Sequence, residues 1–280
     1  KARVAKKPGG ELRLRFYPGQ VMGDERDVVR KMRSGQLQGG IFTSVGLSLI
    51  NPRVLVLQMP LMFRSYASLD RVRKALAPRF EQTFRKKGYE LLGWGDVGMI
   101  YLFSKQPVRS SDDLRRLKVW SWSDDPISRA MLRNAGASPR ILGLPQVYPA
   151  LNTGMVDVVY NAPLACLALQ WHTRLKYYSD MPLAIGIGAM VVSSKAFDAL
   201  PPAQREVLKT ESARAHRVLA RRIRRDNNKA LKVLEQSGIK PVKVGPAGRR
   251  QFRQSADKVA QGFAPRYFPR ALLKRVLELR

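Results

Sequence analysis

One long helical period constrains this chain more than any other feature. From about Pro202 to Gln236, Leu208, Ala215, Leu219, Ile223, Ala230 and Leu234 recur at helical spacing. At 1.5 Å per residue such a helix reaches roughly 50 Å, more than the width of one small lobe. It is therefore expected to run behind both halves of a two-lobed molecule. The length of 280 residues suits this, being near the upper limit for one hydrophobic core and ample for two. Elsewhere, helical stretches alternate with short Val/Ile/Leu-rich runs, which predicts an α/β architecture.

Charged and apolar residues alternate over 11–17, predicting a first strand closed by the turn Pro18-Gly19. Helices are expected over 24–33, 69–87, 127–134 and 147–153, each followed by a glycine. Strands are expected over 39–45, 89–94, 99–104, 117–122, 156–160 and 185–193. The tail over 247–280 reads as helical and strongly basic. No repeat and no low-complexity linker interrupts the chain, so any domain boundary is crossed by strands and helices rather than by a tether.

The formal net charge is +30, from 51 basic and 21 acidic residues. Charge of this size bears on solubility, steering and non-specific partners rather than on fold. It is compatible with a solvated basic surface, an anionic membrane surface or nucleic acid. The nucleic-acid reading rests on residues 214–225, RAHRVLARRIRR, a helix that could follow phosphates. The plainer reading makes these the exposed positions of the long helix, with Val218, Leu219 and Ile223 turned inward. No helix-turn-helix, zinc finger or RNA-recognition signature supports a dedicated nucleic-acid partner.

Catalytic chemistry has no visible machinery. The two histidines, His172 and His216, are far apart in sequence and lack partners at metal spacing. His216 is expected to be solvated and His172 to pack or hydrogen-bond. The single cysteine, Cys166, lies in an apolar stretch and reads as a buried small hydrophobe. There is no GxSxG elbow, Walker loop or paired acid/base set. No enzyme, cofactor or metal site is expected. No run of about 18–20 apolar residues marks a membrane span.

Several segments, taken in order, resemble the solute-binding proteins of TRAP transporters, the DctP type. They are Phe16-Tyr17-Pro18-Gly19-Gln20-Val21-Met22-Gly23-Asp24-Glu25, Met32-Arg33-Ser34-Gly35-Gln36-Leu37 and Met59-Pro60-Leu61-Met62-Phe63-Arg64. Asp113-Leu114, Leu117-Lys118-Val119 and Gly136-Ala137-Ser138-Pro139 follow. Next come Gln146-Val147-Tyr148-Pro149-Ala150-Leu151-Asn152-Thr153-Gly154 and Val156-Asp157-Val158-Val159-Tyr160-Asn161-Ala162-Pro163. The resemblance implies a two-lobed periplasmic binding protein fold with an interdomain cleft. It also implies export to the periplasm, a small-molecule ligand and a TRAP membrane permease as partner. The boundaries expected are 1–98 with 187–228 for lobe I, and 99–186 with 229–280 for lobe II.

The resemblance breaks where a ligand would sit. The family's carboxylate-binding arginine follows its Leu-Lys-Ile segment, and Trp120 stands there in this chain. Ile100 matches the position of a second arginine, and Gln146 that of an acidic residue. The family's asparagine is kept as Asn161. A guanidinium offers a carboxylate two parallel charge-assisted hydrogen bonds, whereas an indole offers apolar area and one N–H. The ligand is therefore expected to be neutral or apolar. The candidate walls are Trp120, Trp122, Ile100, Tyr101, Tyr160, Phe42, Met62, Phe63, Trp171 and Met190, with Asn161 and Gln146 as polar contacts. Phe42, Met62, Phe63 and Met190 equally suit plain core. The departure also resembles a TRAP variant with a soluble tetratricopeptide-repeat partner, which would suit a poorly soluble ligand.

Overall fold

The computed structural model describes residues 12–280. In chain order the elements are α1 (Glu25–Arg33), β1 (Gly39–Thr43), α2 (Ser44–Ile50), a 3-10 segment Pro52–Gln58, α3 (Tyr66–Arg85) and β2 (Tyr89–Ser104). Then come β3 (Trp120–Trp122), α4 (Pro126–Asn134), β4 (Arg140–Leu142), α5 (Val147–Asn152), β5 (Val158–Asn161), α6 (Pro163–Ala168) and β6 (Tyr177–Ser179). The chain closes with β7 (Ala184–Ser193), α7 (Ser194–Asp198), α8 (Pro202–Gln236), β8 (Lys240–Val242), α9 (Pro246–Phe263) and α10 (Arg270–Leu279).

Strand β2 is the spine. Its first part pairs antiparallel with β7, which pairs in turn with β1. Its last part pairs antiparallel with β5 and β6, and β8 runs parallel to β6. The short parallel pair β3–β4 lies beside β5 through a bridge between Val119 and Val158. Two strands were expected over 89–104; the chain forms one, bent by register shifts at Leu91/Gly93 and Asp96/Gly98. Gly98 has φ +130, and a Cβ there would lie 2.5 Å from the Asn227 amide of α8. Only glycine can turn the strand so close to the helix.

Two hydrophobic masses result. One gathers Phe42, Leu47, Leu55, Phe80, Phe84 and Ile187. The other gathers Phe103, Trp120, Val159, Trp171 and Leu234, with an adjoining cluster around Leu102, Val119 and Phe252. Helix α8 spans the expected residues Pro202–Gln236 and buries Leu208 near one mass and Leu234 in the other. The C-terminal tail does not follow its expected assignment to the second lobe throughout. Phe252 packs with the second mass, but Val259, Phe263, Phe268, Leu272 and Val276 join the first. Helix amphipathicity marks an apolar face without saying which core it will meet.

Three further expectations fail locally. Residues 12–17 form no strand; Leu12 and Leu14 instead pack against a small cluster of Leu92, Val192, Phe197 and Leu208. Residue 11 lies outside the described residues. The strand expected to continue to residue 45 ends at Thr43, whose hydroxyl accepts from Val45 N and starts α2. His216, expected in solvent, is buried over Gly93, and its Nδ1–H donates to Ser212 O at 2.8 Å. A side chain at position 93 would exclude the ring, so glycine in β2 permits a histidine on the inner face of α8.

The inner face of α8 also carries a buried charge cluster. Asp96 accepts from Arg73 at 2.6 Å and from Arg224 at 2.6 Å, and Arg224 forks onto Asp70. The Arg224 guanidinium stacks 4.4 Å from the Tyr66 ring centre. This cluster ties α3, β2 and α8 together where β2 bends.

Candidate functional site

A cavity of about 120 Å³ lies between the two masses. Its second-mass wall is built on β3 and α4. Trp120 and Trp122 alternate around Ser121, which should place both on one face of a strand. The rings stack, with centres 6.3 Å apart, and Trp120 also stacks on Tyr160 at 4.8 Å. Trp171 meets Trp120 edge-on at 5.4 Å from behind. Aromatic pairs of this kind contribute about 0.5–1.5 kcal/mol each beyond area burial. Trp120 is 1% exposed, and its indole N–H donates to Leu142 O at 3.1 Å. Its one polar group is thus committed to the backbone, and it can offer the cavity only an apolar ring.

Helix α4 begins at the cavity. Asp125 is its N-cap, accepting from Ile127 N and Ser128 N, and Pro126 takes the first position, where no N–H is needed. Tyr160 O–H donates to the other Asp125 oxygen at 2.7 Å and accepts from Trp122 N at 3.2 Å. Burial pushes the Asp125 carboxyl upward from the ordinary range, and the Tyr160 hydrogen bond opposes that. Leu132 completes this wall with Phe252 of α9, while Ile127 and Met131 of the same helix line the cavity from within the first mass.

The first-mass wall consists of Thr43, Ser44 and Val45 at the β1–α2 junction, with Gln58 and Pro60. Ile100, Ala184 and Gly186 form the floor where β2 and β7 pair. Glu25 holds the junction from outside, accepting from Thr43 N at 2.8 Å, Thr43 Oγ1 at 3.0 Å and Gly46 N at 2.5 Å. Burial pushes its carboxyl up to about 7, against those three donors.

Two contacts join the walls at the rim. The Trp122 indole N–H donates to Asp24 at 2.9 Å, and Arg26 pairs with Asp124. Asp24 also caps α1. One carboxylate therefore both starts a helix on one side and holds an indole on the other.

Of the residues expected at the site, Trp120, Trp122, Ile100, Tyr160 and Asn161 line the cavity. The other expected residues fall elsewhere, each for a local reason. Phe42 is 2% exposed in the first core, because strand alternation turns it away while its neighbour Thr43 faces the cavity. Met62 and Phe63 are also in that core. Tyr101 alternates with Ile100 and packs edge-on against Tyr178. Trp171 stands behind Trp120, in a second row. Met190 sits with the small cluster near Leu12 and Leu14. Gln146 is exposed and accepts from Gly143 N at 2.9 Å, closing a turn.

Sequence reasoning missed Gln58, Ser44, Asp125 and the α4 side chains. Gln58 carried a signal: it is the one polar residue closing the apolar run 54–57. Its Oε1 accepts from Ile187 N at 2.9 Å. Asn161 likewise uses Oδ1, for Ala162 N at 2.9 Å. Both leave an amide NH₂ at the cavity with no hydrogen bond among the described residues. No Arg, Lys or His is among the described lining residues, and the only carboxyl group among them is that of Asp125. Among the described residues, no three His, Cys, Asp or Glu side chains are grouped to hold a metal ion.

The comparisons agree with this geometry at the level of fold. The 2,3-diketo-L-gulonate-binding periplasmic protein YiaO of Escherichia coli is 23% identical over 246 residues, covering 83% of this chain and 71% of that protein. A TRAP periplasmic solute-binding protein from Haemophilus influenzae, solved with bound L-gulonate, superposes with a TM-score of 0.92 at 17% identity, covering 100% of this chain and 92% of that one. One from Shewanella oneidensis, solved with bound succinate, gives 0.91 at 16% identity, with coverage of 100% and 92%. At these identities the likeness is one of fold. The model of the DctP family, described as bacterial extracellular solute-binding protein, family 7, matches residues 1–266, and the chain belongs to that family.

Proposed function

We propose that this extracellular solute-binding protein of the TRAP type takes a small neutral, largely apolar ligand in the cavity and delivers it to a membrane permease. One observation carries the ligand class: the described cavity wall has no cation and does have a buried carboxylate, Asp125. A ligand carboxylate placed there would lose its hydration without a counter-charge, and the like charge of Asp125 would add to that cost, several kcal/mol in all. The two solved proteins above hold acids, gulonate and succinate. The ligand of this chain differs from theirs in charge on this reading.

The aromatic shelf of Trp120, Trp122 and Tyr160 supplies flat apolar area. The free amides of Gln58 and Asn161, one from each side, supply neutral hydrogen bonds. A ligand that touches both walls favours the closed arrangement by its differential affinity for it. Lobe boundaries at 98/99, 186/187 and 228/229 fall at the level of Gly98, Gly186 and Asn227, with α10 returning to the first lobe. A poorly soluble ligand is also the case in which a tetratricopeptide-repeat partner would have a use.

Native mass spectrometry of the purified protein is the direct test, because a co-purified ligand reveals its mass. A thermal-shift series follows. Neutral hydrophobic compounds are expected to raise the melting temperature, and succinate or L-gulonate to leave it unchanged. Tight binding of either acid would overturn the proposed ligand class.

A further inference from the structure

The outer face of α8 carries a feature that solute binding does not use. The plain reading of the segment 214–225 turns Val218, Leu219 and Ile223 inward. In the fold, Val218 is 54% exposed and Leu219 41% exposed, while Ser212, His216, Asn227 and Ala230 take the buried side. The reason lies in β2. Gly93 and Gly98 admit His216 and Asn227, so polar side chains fill the inner face and the aliphatic ones are left outside.

Around these two aliphatics stand Arg214, Arg217, Arg221, Arg222, Arg225 and Lys229, all exposed. Asp226 offsets part of this charge, pairing with Arg225 at 3.0 Å and Arg222 at 3.5 Å. Positions 214, 218, 222, 225, 229 and 233 follow one another at spacings of three and four. They make a single stripe about 30 Å long, ending in the 44% exposed Val233. A helix face that combines dense arginine with projecting aliphatics matches an anionic lipid interface. Phosphates meet the guanidinium groups, and the aliphatics reach the headgroup–acyl boundary. Nucleic acid would use the arginines but has no place for Val218 and Leu219.

We propose that the outer face of α8 is a docking surface for an anionic membrane, holding the protein close to the bilayer in which its permease lies. The test is co-sedimentation of the full chain with vesicles. Binding is expected to phosphatidylglycerol vesicles at low salt and to be absent with phosphatidylcholine alone. The triple variant Arg214→Gln/Arg222→Gln/Arg225→Gln is expected to lower the partition coefficient about ten-fold or more. Val218→Ser/Leu219→Ser, which changes no charge, is also expected to lower it. A control that neutralises Lys258, Arg270 and Lys274 on α9 and α10 removes the same formal charge elsewhere, and is expected to stay within about two-fold of the wild type. Circular-dichroism melts check that each variant is folded. Equal loss in the control overturns the proposal, since net charge alone would then explain binding. So does full binding by the aliphatic variant, or duplex DNA that displaces the vesicles.

Discussion

The cavity and the outer face of α8 belong to one chain of net charge +30, yet they have opposite characters. The described cavity wall holds no cation and buries a carboxylate, whereas the stripe on α8 holds four exposed cations, Arg214, Arg222, Arg225 and Lys229. The inner face of the same helix is a third case. There Arg224 is spent on Asp70 and Asp96. The composition is thus a property of the surface and gives no guide to the site. A cation in water costs little wherever it stands, while a cation in the cavity has to be matched.

The comparison breaks most directly if a charge is moved from outside to inside. Trp120→Arg places a guanidinium where an indole is 1% exposed and stacked on Tyr160. The expected loss is about 3–5 kcal/mol in a urea melt, from lost packing and a buried charge. If the missing cation is what turns acids away, succinate should return part of that stability to the variant and none to the wild type.

The two faces of α8 offer a contrast of nearly the same size. Asp96→Asn leaves Arg73 buried without its carboxylate and should cost about 3–5 kcal/mol. Arg222→Gln on the outer face should cost less than about 0.5 kcal/mol. Equal costs in chemical denaturation would erase the distinction between inner and outer charge.

The acids around the cavity have a pH signature. Burial raises the Glu25 carboxyl from an ordinary 4.5 to about 7, so the folded chain binds this proton more tightly than the unfolded chain. The stabilisation is complete below about pH 4.5 and is lost as pH rises through 7, by about 2–3 kcal/mol. The measurement is the pH dependence of melting for wild type against Glu25→Gln. The wild type should lose more stability than the variant between pH 4.5 and 7.

The smallest effect concerns the rim. Trp122→Phe keeps an aromatic ring but deletes the donor to Asp24. About 1–2 kcal/mol should be lost from the closed arrangement. Small-angle scattering should then show a larger radius of gyration without ligand, with little change in denaturation midpoint. An unchanged radius would mean that this contact does not hold the walls together.

The α8 segment was legible from the sequence as a 35-residue helical stretch, although only Leu208, Ala230 and Leu234 of its apolar period are buried. The order of motifs from Pro18 to Pro163 was also legible, and with it the family. Trp120, Trp122, Ile100, Tyr160 and Asn161, expected at the site, line the cavity. Phe42, Tyr101 and Met190 were misplaced because alternation gives two faces and the sequence does not say which one meets the cavity. Gln58, Asp125 and the α4 wall come from segments far apart in the chain, and only packing brings them together.

By itself, the sequence determined the α/β class through its periodicity, and the two-lobed plan through its ordered run of family motifs. The tertiary structure decided which core α10 joins, which face of α8 looks outward, and that Asp125 rather than a cation sits at the cavity. Those outcomes depend on close approach: Gly93 and Gly98 let a helix settle onto a strand, and that choice of face fixes the surroundings of every charge on it.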